Sequence, residues 1–143
     1  MSVQEIDERL ISKLRPRGQR VTSQRVVIHR AIAVCDQHLS AEQVHEAVSD
    51  SLPGTSLPTV YATLELFEQL GLVRRVSIGS GPVLFDSRMA PHAHAICRHC
   101  GALSDVEEAE VPAATMRAAG RSGFRVDHAQ VIVWGTCVTC LGT

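Results

Sequence analysis

A chain of 143 residues can form one compact unit or two small ones, and with three Phe, one Tyr and one Trp its core must rest on Val, Leu, Ile and Ala. A net charge of −1 argues against a protein that coats nucleic acid indiscriminately. The opening MSVQEIDERL carries acids and no secretory pattern, and no apolar run reaches the roughly 20 residues that span a bilayer, so a cytoplasmic protein without a membrane partner is expected.

In chain order, Ile6, Leu10, Ile11 and Leu14 recur at helical spacing and predict a first helix that stops at Arg15-Pro16. Between Arg9 and Arg30 lie Arg9, Lys13, Arg15, Arg17, Arg20, Arg25 and Arg30 with no acid among them; taken alone, the run suits a solvated face as well as a nucleic-acid contact. Thr22 or Ser23 can cap a second helix, with Val27 or Ile28, Ala31, Ile32 and Cys35 as its buried stripe. Cys35 has no thiol nearby and reads as a small core residue. Ser40 and Gln43 form a capping box for a third helix carrying Val44, Ala47 and Val48.

The turn at Pro53 to Ser56 leads into a fourth helix, with Pro58 in its first turn, Val60, Leu64 and Phe67 on one face, and Gly71 ending it. Thr59, Tyr61, Ala62 and Thr63 then stand near its N-terminus, mostly off that face, as in a recognition helix aimed at a major groove. The segment VRRVSIGSGPVLFD reads as a hairpin turning at Gly79-Ser80-Gly81. Helices, hairpin, the early basic run and Arg74 and Arg75 on the hairpin together describe a winged helix-turn-helix.

The rest of the chain carries metal chemistry. Cys97-Arg-His-Cys100 and Cys137-Val-Thr-Cys140 are two C-x-x-C turns, which in a reducing compartment suit a four-cysteine structural zinc site; a dithiol redox switch is the competing expectation. The gap between them has room for a strand, a helix around Val111 to Ala119, and strands at Phe124 to Val126 and Val131 to Trp134. His92 and His94 share one face if extended, Asp86 ends the hairpin, Asp105 follows the first cysteine turn, and His38 lies in the loop before the third helix. His38, Asp86, His92, His94 and Asp105 offer three nitrogens and two carboxylates, a set with hard oxygens that suits ferrous iron or manganese better than a closed zinc site. An H-x-H pair by itself also fits a small metallohydrolase.

The motifs GQRVTSQR (18–25), HLSAEQVHEAV (38–48), LPTVYATLELFEQLGLV (57–73), HAHAICRHCG (92–101) and WGTCVTC (134–140) resemble, along nearly the whole chain, the ferric-uptake-regulator superfamily of bacterial metal-dependent repressors, and within it the peroxide-sensing branch. The resemblance implies an α+β protein, with a winged-helix DNA-binding domain over 1–86, a hinge at 87–91, and a small α/β dimerisation and metal-binding domain over 92–143. It implies structural Zn(II) on Cys97, Cys100, Cys137 and Cys140, and regulatory Fe(II) or Mn(II) on His38, Asp86, His92, His94 and Asp105. His38 and His92 would be the oxidation-sensitive ligands. The DNA-contacting set would be Arg17, Arg20, Arg25, Ser56, Thr59, Tyr61 and Thr63, and the partners a palindromic double-stranded operator and a second copy of the chain.

Aspartate at 86 and 105, where iron sensors often carry glutamate, favours the peroxide branch over a regulator answering to iron, manganese or zinc level alone. A further metal site found in other members is not expected, because Pro91, Ala93 and Pro112 stand where its ligands would be. Ala62 replaces a residue that is often arginine or asparagine, which alters the surface offered to an operator. Self-oxidation of a ligand is not turnover, so the chain is expected not to be an enzyme.

Overall fold

The computed structural model describes residues 1–35, 38–77, 81–88, 93–106, 112–126 and 129–142. The chain divides into two compact units, Met1–Met89 and Ala90–Thr143.

In the first unit, helix α1 (Val3–Leu14) starts from a capping box in which Ser2 and Glu5 satisfy each other's backbone N–H groups. It buries Ile6, Leu10 and Leu14 of the predicted stripe, while Ile11 is only half-buried. The chain leaves it through a 3-10 turn at Arg15–Arg17 and then Gly18, whose φ of 67° is a conformation glycine adopts without strain. Thr22 caps α2 (Ser23–Ala33), which buries Ile28 and Ile32 and also His29. Cys35 falls beyond the end of that helix and is half-buried.

Helix α3 (Ala41–Val48) has the Ser40/Gln43 capping box expected of it, but buries Ala41, Val44 and Val48. Ala47 is exposed, because it sits about 90° around the helix from the centre of the stripe formed by Ala41, Val44 and Val48. Ser56 caps α4 (Leu57–Gln69), Pro58 sits in its first turn, and Gly71 follows it with φ 71°. Val60, Leu64 and Phe67 pack with Leu10, Leu14, Ile28, Ile32 and Val44 into one core. Three short strands complete the unit: β1 (Leu39–Ser40), β2 (Arg74–Val76) and β3 (Leu84–Asp86) form an antiparallel sheet in the order β1-β3-β2. The β2–β3 pair is the expected hairpin, and Gly79 and Ser80 of its turn lie outside the described residues.

The second unit holds β4 (Ala93–Cys97), β5 (Leu103–Val106), α5 (Ala113–Arg121), β6 (Ile132–Gly135) and α6 (Val138–Leu141). Its sheet has the order β5-β4-β6, with β4–β5 antiparallel and β4–β6 parallel. A parallel pair needs a long crossover, and the stretch that contains α5 supplies it. The expected strand at Phe124–Val126 is not formed. The Phe124 N–H instead bonds the Ala119 carbonyl at 3.2 Å, so the segment serves as the exit of α5, and Phe124 is 72% exposed. Val111 lies outside the described residues.

Among the described residues of this unit only Ala93, His94 and Cys97 are buried. So thin a core does not hold a small fold without a staple. No helix among the described residues is long and apolar enough to cross a membrane.

Candidate metal centres and nucleic-acid interface

The parallel register of β4 and β6 is what gathers the cysteines. Cys97 stands beside Gly135, so both strands deliver their C-terminal turns to the same end of the sheet. The first turn is closed by Cys97 N–H to the Ala102 carbonyl and Gly101 N–H to the Cys97 carbonyl, both 2.9 Å, with Gly101 at φ 75°. The second begins α6, where the Leu141 N–H bonds the Cys137 carbonyl at 2.9 Å. The sulfurs of Cys97, Cys100, Cys137 and Cys140 consequently all lie within 4.8 Å of one another.

Zinc–sulfur bonds of about 2.3 Å in a tetrahedron put sulfurs about 3.8 Å apart, and Cys100 Sγ to Cys137 Sγ is 3.7 Å. Backbone N–H groups of Cys100 and Cys137 point at Cys97 Sγ and hold its pKa down to about 5; the Cys137 N–H is 3.3 Å away. Cys140, facing Cys137 and then Cys97, is pushed up to about 12. Crowded thiols that resist joint ionisation are a donor set that a divalent soft cation satisfies. The four residues fit zinc.

The nitrogen and oxygen ligands occur as two imidazole–aspartate pairs, one in each unit. In the first unit, Leu39 pairs with Phe85 in the antiparallel β1–β3 ladder, so the next residue out, His38, faces Asp86. His38 Nε2 is 3.2 Å from Asp86 Oδ2, and both side chains are under a tenth exposed. The other oxygen, Asp86 Oδ1, accepts the Arg88 N–H at 2.8 Å, which fixes the carboxylate. In the second unit, His94 and Asp105 are direct cross-strand partners on β4 and β5, with Nε2 3.5 Å from Oδ1 and the His94 side chain 2% exposed. Each pair offers one nitrogen and one hard oxygen, donors suited to Fe(II), Mn(II) or Zn(II). His92 lies outside the described residues.

On the first unit, Arg17, Arg20, Ser56 and Tyr61 are exposed, while Arg25 and Thr59 are half-buried. Arg25 reaches back to the Arg20 carbonyl at 2.6 Å, which orders the loop ahead of α2. Thr63 differs from the others: it is buried, and its hydroxyl donates to the Thr59 carbonyl at 2.9 Å. Gly18, Arg20, Thr22, Arg25, Thr59 and Ala62 line an open cleft of about 690 Å³ between the α1–α2 turn and α4. Two polar contacts of this surface were not foreseen. His45 Nε2 lies 2.7 Å from the Thr55 carbonyl and ties α3 to the turn before α4, and the Tyr61 hydroxyl donates to Glu42 Oε1 at 3.0 Å. Their only sequence signal is polar residues on the exposed face of α3.

Residues 16–134 match the model of the Ferric uptake regulator family. The chain belongs to this family. Among its relatives, the peroxide-responsive repressor PerR of Staphylococcus aureus (strain USA300) is 30% identical over 133 residues, 93% of this chain and 90% of the relative. The manganese-containing ferric uptake regulator of Pseudomonas aeruginosa superposes with a TM-score of 0.70 at 29% identity, covering 90% of this chain and 98% of that one. PerR from Streptococcus pyogenes, described for peroxide sensing and gene regulation, superposes with a TM-score of 0.55 at 26% identity, covering 94% and 92%. The winged-helix and α/β organisation expected from the sequence is that of the ferric uptake regulator fold, and family members are transcriptional regulators.

Proposed function

We propose that this ferric uptake regulator family member is a cytoplasmic, metal-dependent repressor that releases its operator in response to hydrogen peroxide. The observation that carries this reading is the twofold occurrence of an imidazole–aspartate pair, His38 with Asp86 and His94 with Asp105, in a chain 30% identical to a peroxide-responsive repressor. Together with His92 these residues would hold regulatory Fe(II) or Mn(II). Cys97, Cys100, Cys137 and Cys140 would hold structural zinc. The proposed domains are 1–86 for DNA binding, 87–91 as hinge, and 92–143 for dimerisation.

Bound Fe(II) would activate peroxide, so that one of its oxygens passes to a ligand imidazole, which is oxidised by two electrons, and the other leaves as water. The chain's own part is to present ligand imidazoles close to that chemistry, and His38 and His92 are the side chains proposed to take up one oxygen atom. An imidazole that has gained oxygen is a poorer donor, so the five-ligand set weakens and the DNA-binding arrangement is no longer favoured.

Dimerisation is supported by the apolar side chains the second unit leaves uncovered, with Phe124, Val133 and Trp134 each at least half exposed. A twofold dimer would present two α4 helices to the two halves of a palindrome. Arg17, Arg20, Arg25, Ser56, Thr59 and Tyr61 are the proposed contacts to DNA. Thr63 enters the set only through its hold on the Thr59 carbonyl.

The test is peptide mass spectrometry of the Fe(II)-loaded protein after mild peroxide. A one-oxygen gain on peptides bearing His38 or His92, with loss of DNA binding, is the expected result. The manganese-containing relative favours a second reading, a regulator that answers to metal level alone. It predicts DNA release on chelation with no oxygen gained.

A further inference from the structure

Helices α3 and α4 already share an apolar contact through Val44, Val48, Val60 and Leu64, so the fold has no need of a surface hydrogen bond between them. One is present nonetheless. Tyr61 lies on the exposed side of α4, 40% exposed, and its hydroxyl donates to Glu42 Oε1 at 3.0 Å. Glu42 stands in the first turn of α3, just after the Ser40 capping box that fixes the start of that helix. We propose that Glu42 is a positioning residue for DNA recognition, holding the Tyr61 ring in one orientation and taking up the only proton its hydroxyl can donate.

A phenol has a single O–H, so a Tyr61 committed to Glu42 meets a base edge with its ring and an oxygen lone pair and never as a donor. The expected discrimination is therefore for apolar or donor groups in the groove and against bare acceptors. The carboxylate is an ionised acceptor, which strengthens the bond relative to a neutral one. The shifts at both ends agree: Glu42 lies below its ordinary value, chiefly from a backbone N–H and then from the Tyr61 hydroxyl, and Tyr61 lies above its own because of Glu42. Glu42 also adds a negative charge beside the groove. That charge lowers affinity for all sequences alike and so does not alter the preference at any one position.

The inference rests on α4 being the recognition helix, and the experiment separates the two claims. Mn(II)-loaded full-length wild type, Glu42→Ala, Glu42→Gln, Tyr61→Phe and the Glu42→Ala/Tyr61→Phe double variant are each used to select from a randomised DNA duplex pool, and the recovered sequences are compared position by position. Wild type and Glu42→Gln should recover one motif, since the amide carbonyl still accepts the Tyr61 hydrogen. Glu42→Ala should lose about three- to tenfold of the preference at one position in each half-site, the worth of one such hydrogen bond. The double variant should be no worse than Tyr61→Phe, because Glu42 then has no hydroxyl to hold. An unchanged positional preference in Glu42→Ala, or additive losses in the double variant, would overturn the role of Glu42. If wild type recovers no motif, the DNA-binding reading falls and the role of Glu42 falls with it.

Discussion

Replacing His29 with phenylalanine should make the first unit's fold less sensitive to acid between about pH 7 and about pH 5. His29 is 3% exposed, its ring edge-on to Phe67 with centroids 5.6 Å apart and planes at 83°. Its Nδ1 has no hydrogen-bond partner among the described residues. Burial, followed by the nearby Arg9 cation, lowers its pKa to about 4, with Asp7 opposing. These two charged groups face it from α1, while α4 presents the uncharged Phe67. Asp7 is held in an ion pair by Arg30, with Arg30 Nε 2.9 Å from Oδ1, which keeps its carboxyl below the ordinary range and charged while His29 titrates.

A histidine with a depressed folded pKa stabilises the fold fully above its unfolded value of about 6.5, and that contribution is lost as pH falls toward the folded value. The unfolded chain binds the extra proton in this window, so stability rises with pH. The full difference corresponds to about 3 kcal/mol, of which about 2 kcal/mol is lost between about pH 7 and about pH 5. Urea unfolding at those two pH values, followed by far-UV circular dichroism, measures it. Carboxylates and cysteines are common to wild type and His29→Phe and cancel in the difference. Parallel loss of stability in the two proteins would refute the assignment to His29, and His29→Leu guards against overpacking beside Phe67.

Phe67→Ala, at a fully buried position in the same core, should cost about 3–5 kcal/mol and shift the urea midpoint without changing zinc content. Cys137→Ser should abolish tight zinc binding, worth on the order of 10 kcal/mol to the folding of such a site; metal analysis and Trp134 fluorescence should report loss of the second unit while the helical signal of the first persists. Trp134→Glu places a charge at an apolar side chain that is 52% exposed and should convert the proposed dimer into a monomer in sedimentation velocity; an unchanged mass would count against a subunit contact through Trp134.

The elements easiest to read from sequence were those whose signal is local. The Ser40/Gln43 capping box and the terminating glycine at Gly71 rest on a few adjacent residues, and they form as expected. The C-x-x-C turns were legible for the same reason, whereas the parallel register that joins them is a tertiary fact. His29 is not legible as a core residue, because its burial depends on the edge-on contact with Phe67, a residue distant in sequence. The place of Thr63 near the start of α4 suggests a groove contact, but a threonine hydroxyl can satisfy itself on the preceding turn's carbonyl and be buried. Phe124–Val126 has strand-like residues, but the exit of α5 takes the Phe124 N–H, and no strand forms there.

The two imidazole–aspartate pairs bear on how a metal could act as a switch under the proposed function. Each pair is set by strand register within its own unit, β1 against β3 and β4 against β5, so each is organised before any metal arrives. Little of the binding energy then goes into ordering side chains, and more can favour one arrangement of the chain over another. Moving such an equilibrium from about 1:99 to 99:1 takes about 5.5 kcal/mol of differential affinity, within reach of several coordinate bonds. On that account a substitution that leaves a ligand in place but loosens its strand should weaken the switch as much as loss of a ligand. Leu39, one residue from His38 and paired with Phe85, is such a position. Leu39→Gly should raise the metal concentration needed for DNA binding while leaving zinc content and the helical signal unchanged, and an unaltered metal dependence would mean that register does not organise the pair.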